Sequence, residues 1–486
     1  MKQSTPSLGG DVIRLTLSKI ISLCISMACT MALSRFRTVE EYGTYSQLLL
    51  VISLFTSIFM LGLPGSINYF LARAEDDNEK QRFLSVYYTL NTLLSMILGV
   101  VLVLSIPLIE TYFRNPTLRH FIYFLALYPW AHIISSSIGN LLIVYQKTQF
   151  LMTYRFVNSV CLLGTVLVTQ WMGWGFAAYM RLYLLVFCLF AVSVYVIAAK
   201  LSGGIRFSLD WTWIRTIFAF SLPMGLASVV GTLNIEIDKL LIGRLMDTET
   251  MAIYTNASRE LPLTIIASSI TAVLLPRLTR MLKDNNARGA VQLWGYATEL
   301  SFTLIALIVA GVFTYAEDAL VLLYSEKYLP GLSVFRVYAL VLLLRCTYFG
   351  MILNAKGKTR DIFYSGVASL ALNAVLNPLL YYMFGMIGPA YATFLSMLVV
   401  LLGQLFFSAK YLELSFYEIF PWKRLGQIGL VNLLFSVCFG SLKYILPLET
   451  LLSSLGESLL LGLVWSVLYL LMLRRRIMSA WHGLNQ

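Results

Sequence analysis

A few charged side chains interrupt the apolar stretches of this 486-residue chain: Lys19, Arg181, Arg259, Arg336 and Arg345, and the acids Glu236, Asp238, Glu260 and Glu299. A charge at mid-bilayer costs at least about 2.5–3.5 kcal/mol, so it is kept where it faces a cavity or a partner. At about 1.5 Å per residue, Arg345 lies roughly 20 Å into a predicted helix over 331–354, near the membrane midplane. Lys19, Arg181 and Arg259 lie about 10 Å deep by the same measure. Arg336 is shallower and can extend its head to the interface, so it is read as structural.

Cations at such depth suit a phosphate that has lost its headgroup water. Arg345, Lys19 and Arg259, with Arg181 beside them, are therefore candidate phosphate-binding residues lining a cavity. The alternative for each is an internal ion pair or an interfacial anchor. The acids could bind a proton or a sodium ion and couple its gradient to transport; they could equally be plain partners of Arg259 or Lys239. Asn234 and Asp238 share a helix face, being four residues apart, while Glu236 points elsewhere.

Other chemistries lack a constellation. The six cysteines lie inside apolar runs without a CxxC pair, and the three histidines are scattered without metal-ligand spacing. No nucleophile elbow or paired-carboxylate motif is present. Neither an enzyme nor a metal or cofactor is expected.

The elements that must position these charges are membrane helices. The chain is 58% hydrophobic and 12% charged, with a mean hydropathy of +0.77. That leaves too little polar surface for a water-soluble domain. Fourteen helices are predicted, at about 12–34, 42–72, 83–109, 120–144, 151–171, 174–199, 213–242, 252–277, 292–316, 331–354, 362–384, 386–408, 425–446 and 452–473. Prolines 64, 107, 129, 223, 262 and 378 fall inside them as kinks. Tyr and Trp are expected mainly in interfacial belts. The net charge of +12 reflects basic loops rather than nucleic-acid binding. With both termini cytoplasmic, the inside regions hold 23 of the 36 basic residues and the outside loops eight, as the positive-inside rule requires.

The second half repeats the first at an offset of about 210 residues. Arg35 to Tyr45 matches Arg244 to Tyr254, Tyr145-Gln146-Lys147-Thr148 lies opposite Lys356-Gly357-Lys358-Thr359, and Gly173 to Tyr179 recurs as Gly385 to Tyr391. Six helices per repeat make the repeats parallel. The expected divisions are a bundle over 1–205, its repeat over 206–410, and two further helices with a basic tail over 411–486.

These motifs resemble the polysaccharide-flippase (Wzx-like, O-antigen and capsule-repeat) branch of the multidrug/oligosaccharidyl-lipid/polysaccharide exporter superfamily. The resemblance rests on Leu33 to Phe36 with Glu41 to Tyr45, Ile237 to Gly243 with Tyr254, Pro276-Arg277-Leu278, Leu353 to Lys358, and Asn373 to Asn377 with Gly385 to Ala392. It implies an all-α polytopic membrane protein with two six-helix bundles in a V-shaped arrangement around a cationic cavity. It further implies translocation of an undecaprenyl-pyrophosphate-linked oligosaccharide to the outer leaflet of a bacterial cytoplasmic membrane. A polysaccharide polymerase and a chain-length regulator are the partners it brings with it. A cation or drug exporter on the same scaffold, or a lipid II flippase, is the alternative. The buried basic residues match the buried acids in number and include the deepest of them, which favours an anionic substrate.

Overall fold

The computed structural model of the chain describes residues 8–445 and 453–485, with side chains from Lys19 to Leu484. The helix ends expected at 446 and 452 lie outside the described residues. Every described element is helical. Twelve stretches are long and apolar enough to cross a membrane; one of them, Thr359–Leu412, holds two helices. The segment expected over 331–354 is broken into pieces too short to qualify. The chain divides into two compact units, ending at Ala252 and beginning at Ile253.

The first unit contains α1 (Leu8–Phe36), α2 (Val39–Met60), α3 (Leu63–Arg73), α4 (Asp77–Leu104), α5 (Ile106–Phe113), α6 (Ile122–Ser136), α7 (Ile138–Val144), α8 (Thr148–Trp171), α9 (Phe176–Ser202) and α10 (Trp211–Leu245). Thr38 and Glu41 start α2 with a reciprocal capping box. Helix α1 packs along α8, and α6 lies between α4 and α9. Helix α10 crosses the junction of α2 and α3 backbone to backbone. Gly62 there has φ 75°, and a Cβ on Gly225 would stand 2.3 Å from the Leu61 carbonyl carbon. Because α10 packs on α2 and α3, the compact unit runs past residue 205, where the sequence repeat restarts.

Several tyrosines expected at the interfaces are instead core residues here: Tyr42, Tyr87, Tyr88, Tyr128, Tyr179 and Tyr183 are all buried. They stack within and across helices, as Tyr128 of α6 does on Phe124 of the same helix and on Phe187 of α9. Helix-to-helix packing of rings outweighs the interfacial preference at these positions.

The second unit follows from α11 (Thr248–Ala257), which spans the boundary, through α12 (Thr264–Lys283), α13 (Ala287–Thr314), α14 (Ala316–Tyr324), α15 (Leu332–Leu343), α16 (Met351–Ala355), α17 (Thr359–Phe384), α18 (Gly388–Leu412), α19 (Trp422–Ile445) and α20 (Ser454–Asn485). Helix α13 is its axis, packed by α12, α15, α19 and α20 around the fully buried Trp294. The two helices beyond the repeat dock through Trp465, Tyr469 and Phe439. Asn432 donates to the Tyr469 hydroxyl at 2.9 Å, which donates to the Thr303 carbonyl at 3.1 Å.

The repeat is visible element by element. Helices α4 and α13 are both 28 residues long and begin at 77 and 287. A six-residue 3₁₀ turn leads into α6 at Pro116–Phe121 and into α15 at Glu326–Gly331. Thr38 caps α2, and its repeat equivalent Asp247 accepts the Thr250 backbone N–H at 2.7 Å to cap α11.

Two expected helices are discontinuous. The one predicted over 252–277 unwinds between α11 and α12, at residues 258–263, and the one over 331–354 unwinds between α15 and α16, at residues 344–350. Pro262 accounts for the first, since it cannot continue a helix. In the second, the hydroxyl of Thr347 is held by α13: Trp294 Nε1 donates to it at 2.9 Å and Thr298 at 3.3 Å. Of the other prolines, Pro64 and Pro107 sit in the first turns of α3 and α5, and Pro129, Pro223 and Pro378 lie inside helices.

Candidate functional site

The two breaks of the second unit meet at an ion pair. Arg345 and Glu260, both expected inside helices, lie instead in the unwound stretches, and Arg345 Nη2 stands 2.6 Å from Glu260 Oε1. Their side chains are 34% and 28% exposed, so neither is sealed from a ligand. Arg345 Nε is buried and has no hydrogen-bond partner. The guanidinium thus has one edge engaged and a donor unused.

Arg345 also lines a cavity of about 510 Å³. Its walls come from α12, the 344–349 stretch, α17 and α18, and they mix hydroxyl and amide groups (Ser268, Thr271, Thr347, Ser369, Gln404) with apolar ones. Irregular backbone at membrane depth is tolerated where it is enclosed by protein or lines a cavity, which is the situation here.

The other expected residues are placed separately. Arg259, next to Glu260, is exposed and likewise outside any helix. Glu299 on α13 pairs with Arg424 of α19 at 3.1 Å, and Arg424 also stands over the Tyr296 ring. In the first unit, Lys19 is exposed on α1, and Arg181 is exposed on α9 with its Nε donating to the Ala177 carbonyl of the same helix. Glu236 pairs with Lys239 at 2.9 Å on α10. Asp238 is almost wholly buried and accepts the Lys239 backbone N–H at 2.7 Å. Arg345 and Glu260 are two expected site residues that the fold joins by a direct ion pair. Among the described residues no group of three or more His, Cys, Asp or Glu could hold a metal ion.

Sequence reasoning missed the hydroxyl and amide residues of the cavity wall. A signal was present for one of them: Ser369 recurs at four-residue spacing with Ser365, Asn373 and Asn377 along the otherwise apolar α17, which puts it on a polar helix face.

A family model described as "Polysaccharide biosynthesis protein" matches residues 32–333, more than half of the chain. The chain belongs to that family. Among curated proteins it is 25% identical over 326 residues to the teichuronic acid biosynthesis protein TuaB of Bacillus subtilis, covering 62% of each chain. It is 20% identical over 289 residues to the probable low-salt glycan biosynthesis flippase Agl15 of Haloferax volcanii, covering 57% of this chain and 61% of that one. The match thus spans less than two thirds of the length of these curated relatives. The fold is shared with the lipid II flippase MurJ in an inward closed conformation, at a TM-score of 0.75 and 16% identity over 95% of this chain and 99% of that one. It is also shared with an inward-facing multidrug transporter of the MATE family, at 0.65 and 13% over 83% and 98%. The resemblance read from the motifs therefore holds, and the all-α, multi-pass membrane fold with it.

Proposed function

We propose that this protein is a flippase that moves an undecaprenyl-pyrophosphate-linked oligosaccharide from the cytoplasmic to the outer leaflet of the cytoplasmic membrane by alternating access. Both termini lie in the cytoplasm on this reading, and the product is handed to a polysaccharide polymerase and its chain-length regulator. Family membership and a flippase fold support transport rather than catalysis. The observation that carries the anionic substrate is Arg345: a partly accessible guanidinium with a buried, unused Nε at the wall of a cavity.

The pair with Glu260 suits such a cycle. A guanidinium left alone at this depth is costly, and Glu260 holds it while the cavity is empty. An arriving phosphate offers two oxygens to the planar fork and can take over from the carboxylate. Glu260, so released, becomes the group best placed to take up a proton or sodium ion, linking substrate entry to an ion gradient. Arg259, Lys19 and Arg181 are further cations for the pyrophosphate on this reading. Asp238, Glu236 and Glu299 remain secondary candidates for ion coupling.

The test is delivery of fluorescent lipid-linked oligosaccharide across reconstituted vesicles. Arg345→Ala should insert normally and lose about 10- to 150-fold in rate, the equivalent of one charge-assisted hydrogen bond of about 1.5–3 kcal/mol. Arg345→Lys should recover little, because an ammonium lacks the fork. Wild-type delivery by Arg345→Ala at normal abundance would overturn the assignment.

A further inference from the structure

The cavity beside Arg345 abuts a buried polar seam between α17 and α18, at Ser369 and Met397. Gln404 Nε2 donates to Ser365 Oγ at 2.7 Å, and a Cβ on Gly388 would stand 2.2 Å from the Leu380 carbonyl oxygen. These two contacts set an antiparallel register that brings Asn373 and Asn377 level with residues 391–396 of α18. Both asparagines are 1% exposed. Asn377 Nδ2 and Oδ1, Asn373 Oδ1 and Thr393 Oγ1 are buried without a hydrogen-bond partner. Ser369, one turn before Asn373, and Met397, one turn after Thr393, both line the cavity.

Unmet hydrogen-bonding groups of this kind specify their occupant. An amide nitrogen only donates, an amide oxygen only accepts, and a hydroxyl does both. A metal cation would satisfy the acceptors alone and an anion the donors alone, whereas a hydroxylated ligand satisfies both. The same cavity wall offers apolar Phe349, Met397 and Leu401. A pyranose ring has this dual character, with hydroxyls at its rim and C–H groups on its faces. A volume of about 510 Å³ also falls within the range of small-ligand sites.

We infer that this cavity and its seam form a sugar subsite, holding a pyranose of the transported glycan while Arg345 holds the phosphate. The inference rests on the flippase reading and adds to it the part of the second unit that reads the sugar. Ser369, Asn373, Asn377 and Thr393 are the specificity-determining residues.

The full chain in nanodiscs would be titrated with undecaprenyl pyrophosphate, and with the same lipid carrying glucose, galactose or N-acetylglucosamine. At least one glycosylated lipid should bind about tenfold or more tightly than the sugar-free lipid, a gain of about 1.4 kcal/mol. Asn377→Leu and Ser369→Val should erase that advantage and leave sugar-free binding unchanged. A Ser369→Cys thiol should be protected from maleimide by the glycosylated lipid only, a readout that does not depend on the Asn377 variant folding. Equal binding of all lipids by the wild type, equal weakening of both lipid classes by the variants, or equal protection of the thiol would overturn the subsite and leave ordered water as its occupant. Failure of the flippase reading looks different: the sugar-free lipid would not bind, or Arg345→Gln would leave its binding intact.

Discussion

Removing one member of the Arg345–Glu260 pair should loosen the second unit more than removing both. The contact is 2.6 Å between Nη2 and Oε1. Unit charges centred about 4 Å apart attract by about 4 kcal/mol at an effective dielectric of about 20. With 34% and 28% of the two side chains exposed, solvent screens part of this. Fully exposed pairs contribute about 0.2–1 kcal/mol and breaking fully buried ones costs about 3–5, so a coupling of about 1–3 kcal/mol is expected. The single variants should not be equivalent. Glu260→Gln leaves a guanidinium whose Nε already lacks a partner, whereas Arg345→Gln leaves a carboxylate next in sequence to Arg259.

Cys346 provides the assay, because it follows Arg345 directly and is only 2% exposed. With the other five cysteines replaced by alanine, modification of Cys346 by a membrane-permeant maleimide reports how often this region opens. Glu260→Gln should accelerate labelling most and Arg345→Gln less. The double variant should return towards wild type by about 5- to 150-fold relative to the sum of the singles, the equivalent of the expected coupling. Additivity of the two single effects to within about 0.5 kcal/mol would refute the pairing and the account of how Arg345 is kept at this depth.

Three further outcomes are expected. Asp247→Ala should lower stability by about 0.5–2 kcal/mol through loss of the α11 cap, read as a fall in the thermal midpoint. The hydroxyl and backbone N–H of Thr250 hold the Asp247 carboxyl below the usual range, so its contribution is intact above about pH 4 and lost as pH falls through its folded-state value. Asp247→Asn should flatten that acid-side loss. Glu457 on α20 is wholly buried with neither carboxylate oxygen hydrogen-bonded, so Glu457→Met should raise stability by about 1–4 kcal/mol; a drop would mean that the carboxyl is held by something else. In intact cells, cysteines at Thr117 and Glu326 should label from outside, and those at Asn78 and Asn285 should not. Asn115 is a poor probe because it is buried, donating to Thr44 and Gln47. External labelling at Asn285 would reverse the orientation.

Much of the scaffold was legible in the chain. Long apolar stretches punctuated by charged turns mark the helices, and Thr38-Val39-Glu40-Glu41 shows the α2 cap directly, since a capping box needs only those two side chains three apart. The repeat could be read from Arg35 to Tyr45 against Arg244 to Tyr254 because the same local duty, starting a helix after a basic turn, recurs in both. The site was legible only in part. Arg345 and Glu260 stood out as charges in apolar surroundings, but Glu260 had Arg259 and other bases as rival partners, and only the folded chain selects among them. Pro262 hinted at the first break. Leu344-Arg345-Cys346-Thr347-Tyr348-Phe349 carries no proline or glycine, and Gly350 comes only at the end of the stretch, so nothing local announces where the second begins.

That second break has a tertiary cause, and its repeat equivalent shows how little is needed to create it. At an offset of 210, Ser137 and Tyr88 correspond to Thr347 and Thr298, and both pairs are hydrogen-bonded, at 3.0 Å and 3.3 Å. In the first unit the interruption is a single residue, with α7 resuming at Ile138. In the second it widens to the whole stretch between Leu343 and Met351, where Trp294 adds a further donor to Thr347 and Glu260 draws Arg345 out. Unwinding frees backbone groups that a bilayer cannot satisfy, so the wider gap is stable only because it lies against protein and a cavity. The same joint, tight in one repeat and opened around a charged pair in the other, makes the two repeats unlike. That difference leaves Arg345 of the second unit at the wall of a cavity.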